Sequence, residues 1–296
     1  MKRTGFIAIT GRPNVGKSTL LNALVGEKIS IISNKPQTTR SRITGILTKG
    51  EDQFVFVDTP GMHKPRSKLG DYMIKTINGA VSDVDAAILV TTPGRMGPTE
   101  KKLLDRFVSS DIPVVLVINK TDRSTAVAIG DTITEYASQY EFAAVVPICA
   151  RKKERVDIVL DEVSKLLHEG EWFYDADELT DQSKRMMAAE IIREKLLRTL
   201  SEEIPHGIAV VIEEFTEHEE GGIDIRAEIY CEKASHKGII IGRDGRELKT
   251  VGTYARKDME ELFGEKVYLD LWVKTKENWR DNDSLLSRFG FNDDNV

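Results

Sequence analysis

Short apolar runs punctuate the first half of the chain. FIAIT (6–10), QFVFVDT (53–59), AAILVTT (86–92), PVVLVIN (113–119) and VVPIC (145–149) are dense in Val and Ile. Such near-continuous runs are expected of strands buried on both faces of a parallel sheet. Helical patterns lie between them, as at Ser18–Val25 and Thr99–Ser110, and Val159, Val163, Leu166 and Leu167 repeat at helical spacing in a segment closing the unit. This alternation predicts an α/β domain over 1–170 with a mostly parallel sheet. Residues 171–182, aromatic and acidic, break the rhythm and read as a linker. Beyond it the order changes to helix (Ser183 to about Glu203), two strands, a helical stretch near Arg246–Phe263 and the strand KVYLDLWVK. Ile223, Ile225, Ala227 and Ile229 alternate along the second strand, after a Gly221-Gly222 turn. That is an α+β domain over 183–280, followed by a partly apolar, acidic tail, 281–296, to which the pattern assigns no role.

The chain has 296 residues, 40% hydrophobic and 30% charged, with a net charge of −6. These values describe a globular protein of about two domains and exclude a chain that is basic throughout, while allowing a local basic patch. Cys149 and Cys231 lie far apart, which points to reduced thiols and away from a disulfide or zinc framework. The basic, briefly apolar start MKRTGFIAIT is too short in its apolar run for a cleaved leader. No run approaches the roughly 18–20 apolar residues that span a bilayer. A soluble, cytoplasmic protein is expected, with peripheral membrane contact left open.

Two motifs carry nucleotide chemistry. Gly11, Arg12, Pro13, Asn14, Val15, Gly16, Lys17 and Ser18, with Thr19 following, match the phosphate-loop pattern GxxxxGK[ST] between a predicted strand and a predicted helix. Its backbone amides would wrap phosphates, Lys17 would reach the β- and γ-phosphates, and the Ser18 hydroxyl would ligate Mg²⁺. NKTD, Asn119 to Asp122 with Lys120 inside it, follows a strand at the end where open α/β sheets place ligands. A carboxylate at Asp122 accepts two hydrogen bonds from guanine and finds no such donor pair on adenine. GTP and GDP are therefore the expected nucleotides, and an ATPase or small-molecule kinase is disfavoured.

With these motifs, residues 4–168 resemble translation-factor-related GTPases. The resemblance implies that Thr39 in QTTR (Gln37 to Arg40) ligates Mg²⁺ when the γ-phosphate is present, Thr38 being the weaker choice. It implies that Asp58 holds the metal through water, within the nucleotide-site run Asp58, Thr59, Pro60, Gly61 and Met62, and that the Gly61 amide senses the γ-phosphate. In the last base loop, usually Ser-Ala, the chain has Cys149-Ala150; the Ala150 amide would contact the guanine carbonyl, and the hydroxyl contribution is missing.

The second domain has its own signal. Gly242-Arg243-Asp244-Gly245 lies between Ile239, Ile240, Ile241 and a helical stretch. From Lys233 to Lys257 there are seven Lys or Arg against two acids. A Gly-x-x-Gly turn by itself is weak, and a charge cluster is usually a solvated face. The predicted element order, however, resembles the type II K-homology (KH) fold, in which such a turn clamps a nucleic-acid backbone. On that resemblance Lys233, Lys237, Ile239, Ile240, Gly242, Arg243, Asp244, Gly245, Arg246 and Lys249 are the RNA-binding candidates.

The whole combination, including GRPNVGKSTLLNALVG, QTTRSRI, DTPGMHKP, AEIIREKLLRTLSEEIPH and ARKDMEELFG, resembles the Era-like family of ribosome-assembly GTPases. The family implies partners: the 3′ end of 16S ribosomal RNA, the small ribosomal subunit, and peripheral contact with the inner membrane face. A monomer is the expected state. Where many GTPases place a water-orienting glutamine this chain has Met62, and the position is commonly apolar in Era-like proteins. Slow intrinsic hydrolysis follows, completed from elsewhere: Lys17, Thr39 and Gly61 at the reacting centre, K⁺ held by Asn14 as a further candidate cofactor, and docked RNA. Two other functions fit the residues: an RNA chaperone using nucleotide only as a lock, and a membrane-associated signalling GTPase.

Overall fold

In a computed structural model, which describes residues 1–33, 35, 38–61, 67–82, 84–200 and 204–291, the chain forms two sheets. The first domain runs β1 (Arg3–Thr10), α1 (Lys17–Val25), β2 (Ile43–Lys49), β3 (Asp52–Asp58), α2 (Lys68–Ser82), β4 (Ala86–Thr91), α3 (Pro98–Ser109), β5 (Val114–Ile118), α4 (Ala126–Ala137), β6 (Ala144–Pro147) and α5 (Val156–Ser164). The sheet order is β2-β3-β1-β4-β5-β6, parallel except for β2. The two-residue strand β7 (His168–Glu169) pairs antiparallel with β1. Helices α1 and α5 close one face over Ile7, Ile9 and Val117, while α2, α3 and α4 close the other over Ala8, Leu89 and Leu116. Burial on both faces is why β4 and β5 contain no exposed position and read as continuous apolar runs.

β2 escapes the apolar-run criterion. Its sequence ITGILTK carries Thr44 and Gly45, and it forms because the turn at Gly50 folds it back antiparallel on β3. Its outer edge is covered by the linker: Ile46 N–H donates to Leu179 O at 2.8 Å and Thr180 Oγ1 to Thr44 O at 2.7 Å. Further back, buried Gln53 accepts from Phe173 and Tyr174 amides and donates to Tyr174 O, and Phe173 packs on Phe6 at 4.8 Å. The linker is thus laid along the first domain by one backbone pair and by the Thr180 and Gln53 side chains.

The second domain runs α6 (Lys184–Thr199), β8 (Ile208–Glu217), β9 (Ile223–Cys231), α7 (Ala234–Ile241), α8 (Arg246–Phe263) and β10 (Val267–Thr275). β9 is central, antiparallel to β8 and parallel to β10. Ser183 caps α6 by accepting from Met186 N, and Gly264 ends α8 in the left-handed region. One face of this sheet packs under α6, α7 and α8 through Ile225, Ala227, Ile229, Val251, Ala255 and Met259.

The C-terminal segment covers part of the other face. A 3-10 turn (Trp279–Asp281) and α9 (Asp283–Arg288) place Trp279, Leu286 and Phe289 against Tyr230 and Ala209 of the second sheet and against Leu69, Tyr72 and Met73 of α2. Trp279 is fully buried, donates to Gly207 O at 3.0 Å and meets Phe289 edge-on at 5.5 Å. What reads as a tail in the sequence is one wall of a joint between the domains. Among the described residues no helix is long and apolar enough to cross a membrane.

Trp279→Ala is expected to remove about 3–5 kcal/mol of stability through the cavity it leaves. Urea unfolding followed by far-ultraviolet circular dichroism measures this; an unchanged midpoint would mean the joint is not a packed core.

Candidate functional site

The nucleotide motifs converge at the carboxyl ends of β1, β3, β5 and β6, where parallel strands point their last residues into one crevice. The phosphate loop leaves β1 and enters α1 with Asn14 and Gly16 at φ 62 and 103. Gly16 has a second reason to be glycine: a Cβ there would lie 2.3 Å from the Asn119 amide nitrogen. Buried Lys17 donates to the carbonyls of Gly11 and Arg12 at 3.2 and 3.1 Å. Burial pushes its pKa down to about 8, against the pull of the Asp58 charge. Arg12 turns away from the loop and pairs with Glu100, a fully buried residue of α3 that sequence reasoning did not single out.

Asp58 ends β3 with no solvent exposure. Its Oδ2 accepts from Ser18 Oγ at 2.7 Å, Thr39 Oγ1 at 3.4 Å and Ser30 Oγ at 3.5 Å, and the Ser18 and Thr39 hydroxyls lie 2.9 Å apart. Thr38, by contrast, turns its hydroxyl to Lys35 O. Burial raises the Asp58 pKa, opposed by Lys17 and the three hydroxyls. Its buried Oδ1 has no partner among the described residues. Two hydroxyls and a carboxylate with an uncommitted oxygen form an all-oxygen donor set that suits Mg²⁺. Thr59 spends its hydroxyl on Ile9 O, at 3.1 Å, and so serves the sheet. Gly61 packs on Pro13, and a Cβ there would lie 2.7 Å from the Pro13 backbone. Gln37 and Met62 lie outside the described residues.

The base-side loops are tied to the phosphate loop. Asn119 donates to Val15 O at 2.8 Å and accepts from the amides of Lys120 and Ala150, at 2.8 and 3.0 Å. Lys120, at φ 63, reaches Asn14 O. The Ala150 amide, expected on the guanine carbonyl, is here bonded to Asn119. Asp122 accepts from Cys149 Sγ at 3.2 Å and from Arg151 Nη2 at 3.0 Å. The thiol hydrogen bond, with the Arg151 and Arg123 charges, holds its carboxyl below the ordinary range despite a desolvation penalty. Cys149 thus holds the carboxylate expected to read the base. Arg151, absent from the sequence candidates, was signalled only by its place directly after Ala150.

The second-domain candidates separate into two groups. Gly242 and Gly245, at φ 72 and 73, form the turn, and a Cβ on Gly245 would meet nothing within 4 Å, so a ligand backbone has room to approach. Beside it an open groove of about 940 Å³ is lined by Gly245 of the turn, by Leu248, Lys249, Gly252, Thr253 and Arg256 of α8 and by Tyr268 to Leu271 of β10. Arg243, Asp244 and Arg246 are exposed in the turn and at the start of α8, outside the groove lining, with Arg246 3.7 Å from Asp244. Lys233 caps α7, and Lys237 and Ile239 face solvent outside the groove lining. Ile240 requires correction: it is 1% exposed and packs in the second-domain core, because it occupies the sheet-facing side of α7. Arg256, Thr253 and Tyr268 were missed, since i, i+3 and i, i+4 spacing shows a shared helix face without showing which strand it opposes.

Two outcomes follow from this geometry. Lys17 is an ammonium below about pH 8 in the nucleotide-free protein and neutral above it. GDP affinity should therefore be flat below that pH and fall above it, approaching tenfold per unit, as the bound state takes up a proton. Fluorescence titration from pH 6.5 to 9.5 tests this, and a flat profile would refute it. Asp122→Asn should weaken GTP binding by about 10⁴-fold and favour xanthosine triphosphate, whose C2 carbonyl accepts from the new amide. Competition between the two nucleotides provides the readout.

Comparison with known proteins agrees with this arrangement. Residues 6–120 match the family model of 50S ribosome-binding GTPases, and residues 203–280 that of KH domains. The chain is 47% identical over 292 residues to GTPase Era of Clostridium kluyveri, covering 98% of this chain and 100% of that one. It is 48% identical over 291 residues to GTPase Era of Thermoanaerobacter sp. strain X514, covering 98% and 96%. A crystal structure of Aquifex aeolicus Era bound to GDP and AlF4⁻ superposes with a TM-score of 0.93 at 36% identity, over 98% of this chain and 99% of that chain. A crystal structure of Era in complex with MgGDPNP and nucleotides 1506–1542 of 16S ribosomal RNA gives 0.94 at 36% identity, with the same coverage. A guanine-type phosphate-loop site joined to a KH fold, with relatives this close along nearly the whole chain, places the protein in the Era family of GTPases.

Proposed function

We propose that this GTPase binds the 3′ end of 16S ribosomal RNA in its GTP-bound form, docks on the small ribosomal subunit during its assembly, and releases after hydrolysis. The observation that carries the reading is the groove between α8 and β10, lined by Gly245, the last residue of the turn, and by Lys249 and Arg256. Its parts suit a single strand: backbone approach at the turn, cations for phosphates, and a cleft for unstacked bases. The Era structure that contains nucleotides 1506–1542 supports the choice of RNA.

At the nucleotide site Lys17 neutralises phosphate charge, the loop amides hold the phosphates in line, and Asp122 fixes the base. Mg²⁺, held by Ser18 and Thr39 with Asp58 behind it, supplies charge neutralisation across the β- and γ-phosphates. Asn14 lines the phosphate cleft beside Thr39 and Gly61, which supports a role for it in holding K⁺ near the developing charge. RNA docking adds to hydrolysis by ordering the loops around Thr39. The protein works in the cytoplasm, with peripheral contact at the inner membrane face.

The test is binding of a 3′-terminal 16S fragment to protein loaded with GDPNP or GDP, at several salt concentrations. Tighter, salt-sensitive binding with GDPNP is expected, and Gly245→Asp should weaken it tenfold or more by placing a carboxylate against the backbone. Equal affinity for an unrelated single strand would overturn the choice of RNA. Hydrolysis should be faster in K⁺ than in Na⁺, and Asn14→Ala should abolish the difference; equal rates in wild type would remove K⁺ from the scheme.

A further inference from the structure

The loop that carries Thr39 is held from the second domain. Arg193 of α6, 3% exposed in its side chain, donates through Nη2 to Thr38 O. Its orientation is set by Glu190, which accepts from Arg193 Nε at 2.8 Å and pairs with the same Nη2. On the other side of Thr39, buried Arg40 donates to Ile208 O at 2.6 Å and to Pro205 O at 3.4 Å. Further upstream, buried Glu194 accepts from Ile32 N at 3.0 Å and Lys28 Nζ at 2.7 Å. Thr39 therefore sits between two residues fastened to the second domain, while its hydroxyl lies at the Ser18–Asp58 oxygens.

We infer that Arg193 is a positioning residue for GTP hydrolysis, acting through the Thr38 carbonyl to keep the Thr39 hydroxyl among the metal-binding oxygens. The Thr38–Thr39 peptide is planar, so a fixed Thr38 carbonyl fixes the plane from which the Thr39 Cα departs. A guanidinium held by a carboxylate on its own helix loses little freedom in making this bond, and a lysine cannot serve Glu190 and Thr38 with the same fork. The hydrolytic site then includes a residue of the RNA-binding domain, and a shift of α6 relative to the first domain loosens Thr39. Linkage makes the coupling reciprocal for binding: whatever holds Thr39 in place also holds α6. This inference rests on Thr39 as the Mg²⁺ ligand of the GTP-bound state.

The experiment compares Arg193→Ala, Arg193→Lys, Glu190→Gln and Thr39→Ala in the full chain. Release of a fluorescent non-hydrolysable GTP analogue is followed against Mg²⁺ concentration, beside kcat and GDP affinity. Arg193→Ala should raise the Mg²⁺ concentration for half-maximal retention of the analogue, and lower kcat, by about 10–100-fold. GDP affinity, which rests on Lys17, Asn119 and Asp122 and not on a γ-phosphate contact, should stay unchanged, which also reports that the variants are folded. Glu190→Gln should give a smaller shift in the same direction, and Arg193→Lys should recover only part of the loss. The Arg193→Ala, Thr39→Ala double variant should be no worse than Thr39→Ala alone. Additive losses, or a wild-type Mg²⁺ dependence in folded Arg193 and Glu190 variants while Thr39→Ala is impaired, would overturn the role of Arg193. A wild-type Mg²⁺ dependence in Thr39→Ala would overturn the ligand assignment beneath it.

Discussion

A buried carboxylate organises the molecule. Asp58 stands at the end of a central strand with no access to solvent, and an isolated charge there would be prohibitively costly. Its neighbours compensate from three parts of the chain: Lys17 and Ser18 from the phosphate loop, Ser30 from the segment after α1, and Thr39 from the following loop. Segments far apart in sequence are thereby brought to one point. Lys17 also holds the Gly11 and Arg12 carbonyls, and Ser18 also meets Thr39, so the cluster ties the phosphate loop to the segment that carries Thr39.

The same economy of polar groups explains the joint between the domains. Helix α6 carries Arg193, Glu194 and Lys195 in succession, all buried. A helix facing solvent on one side would leave at least one of them exposed, so the run makes sense only for a helix enclosed on both sides. Glu194 shows the balance: burial alone would raise its pKa, yet hydrogen bonds from Lys28 and the Ile32 amide, with the Lys28 and Arg198 charges, hold it below the ordinary carboxylate range. Lys28 also reaches Asp258 of α8 at 2.8 Å, so one lysine of the first domain is shared by two helices of the second. On the far side the joint is apolar, with α2 and the C-terminal turn closing around Trp279. Charge on one flank and packing on the other restrict how the two domains can turn against each other.

Much of the candidate site was legible because its chemistry is local in sequence. A phosphate loop needs a strand, a glycine-rich turn and a helix in immediate succession, and Gly11 to Ser18 supplies them. NKTD needs only the end of a strand. Residues whose partner is remote in sequence carry no such local signal. Glu100 is an unremarkable helix residue until Arg12 is placed on it, and Arg151 follows Ala150 without a motif of its own. Ile240 stands with Ile239 among the RNA-binding candidates because three consecutive isoleucines do not show which one faces the sheet. β2 is not legible locally, since it depends on a turn and on a linker segment more than a hundred residues away.

By itself the sequence determined the two fold classes, the guanine-type nucleotide site and the basic character of the Gly-x-x-Gly region. Each depends on residues within a few positions of one another, where backbone geometry leaves little choice. The tertiary structure decided which of two threonines turns toward Asp58, that a C-terminal segment with no legible role closes the joint, and that α6 holds the Thr39 loop. Those outcomes depend on which buried polar and aromatic groups can satisfy one another across the domain boundary. That is a question of three-dimensional proximity, which no local pattern encodes.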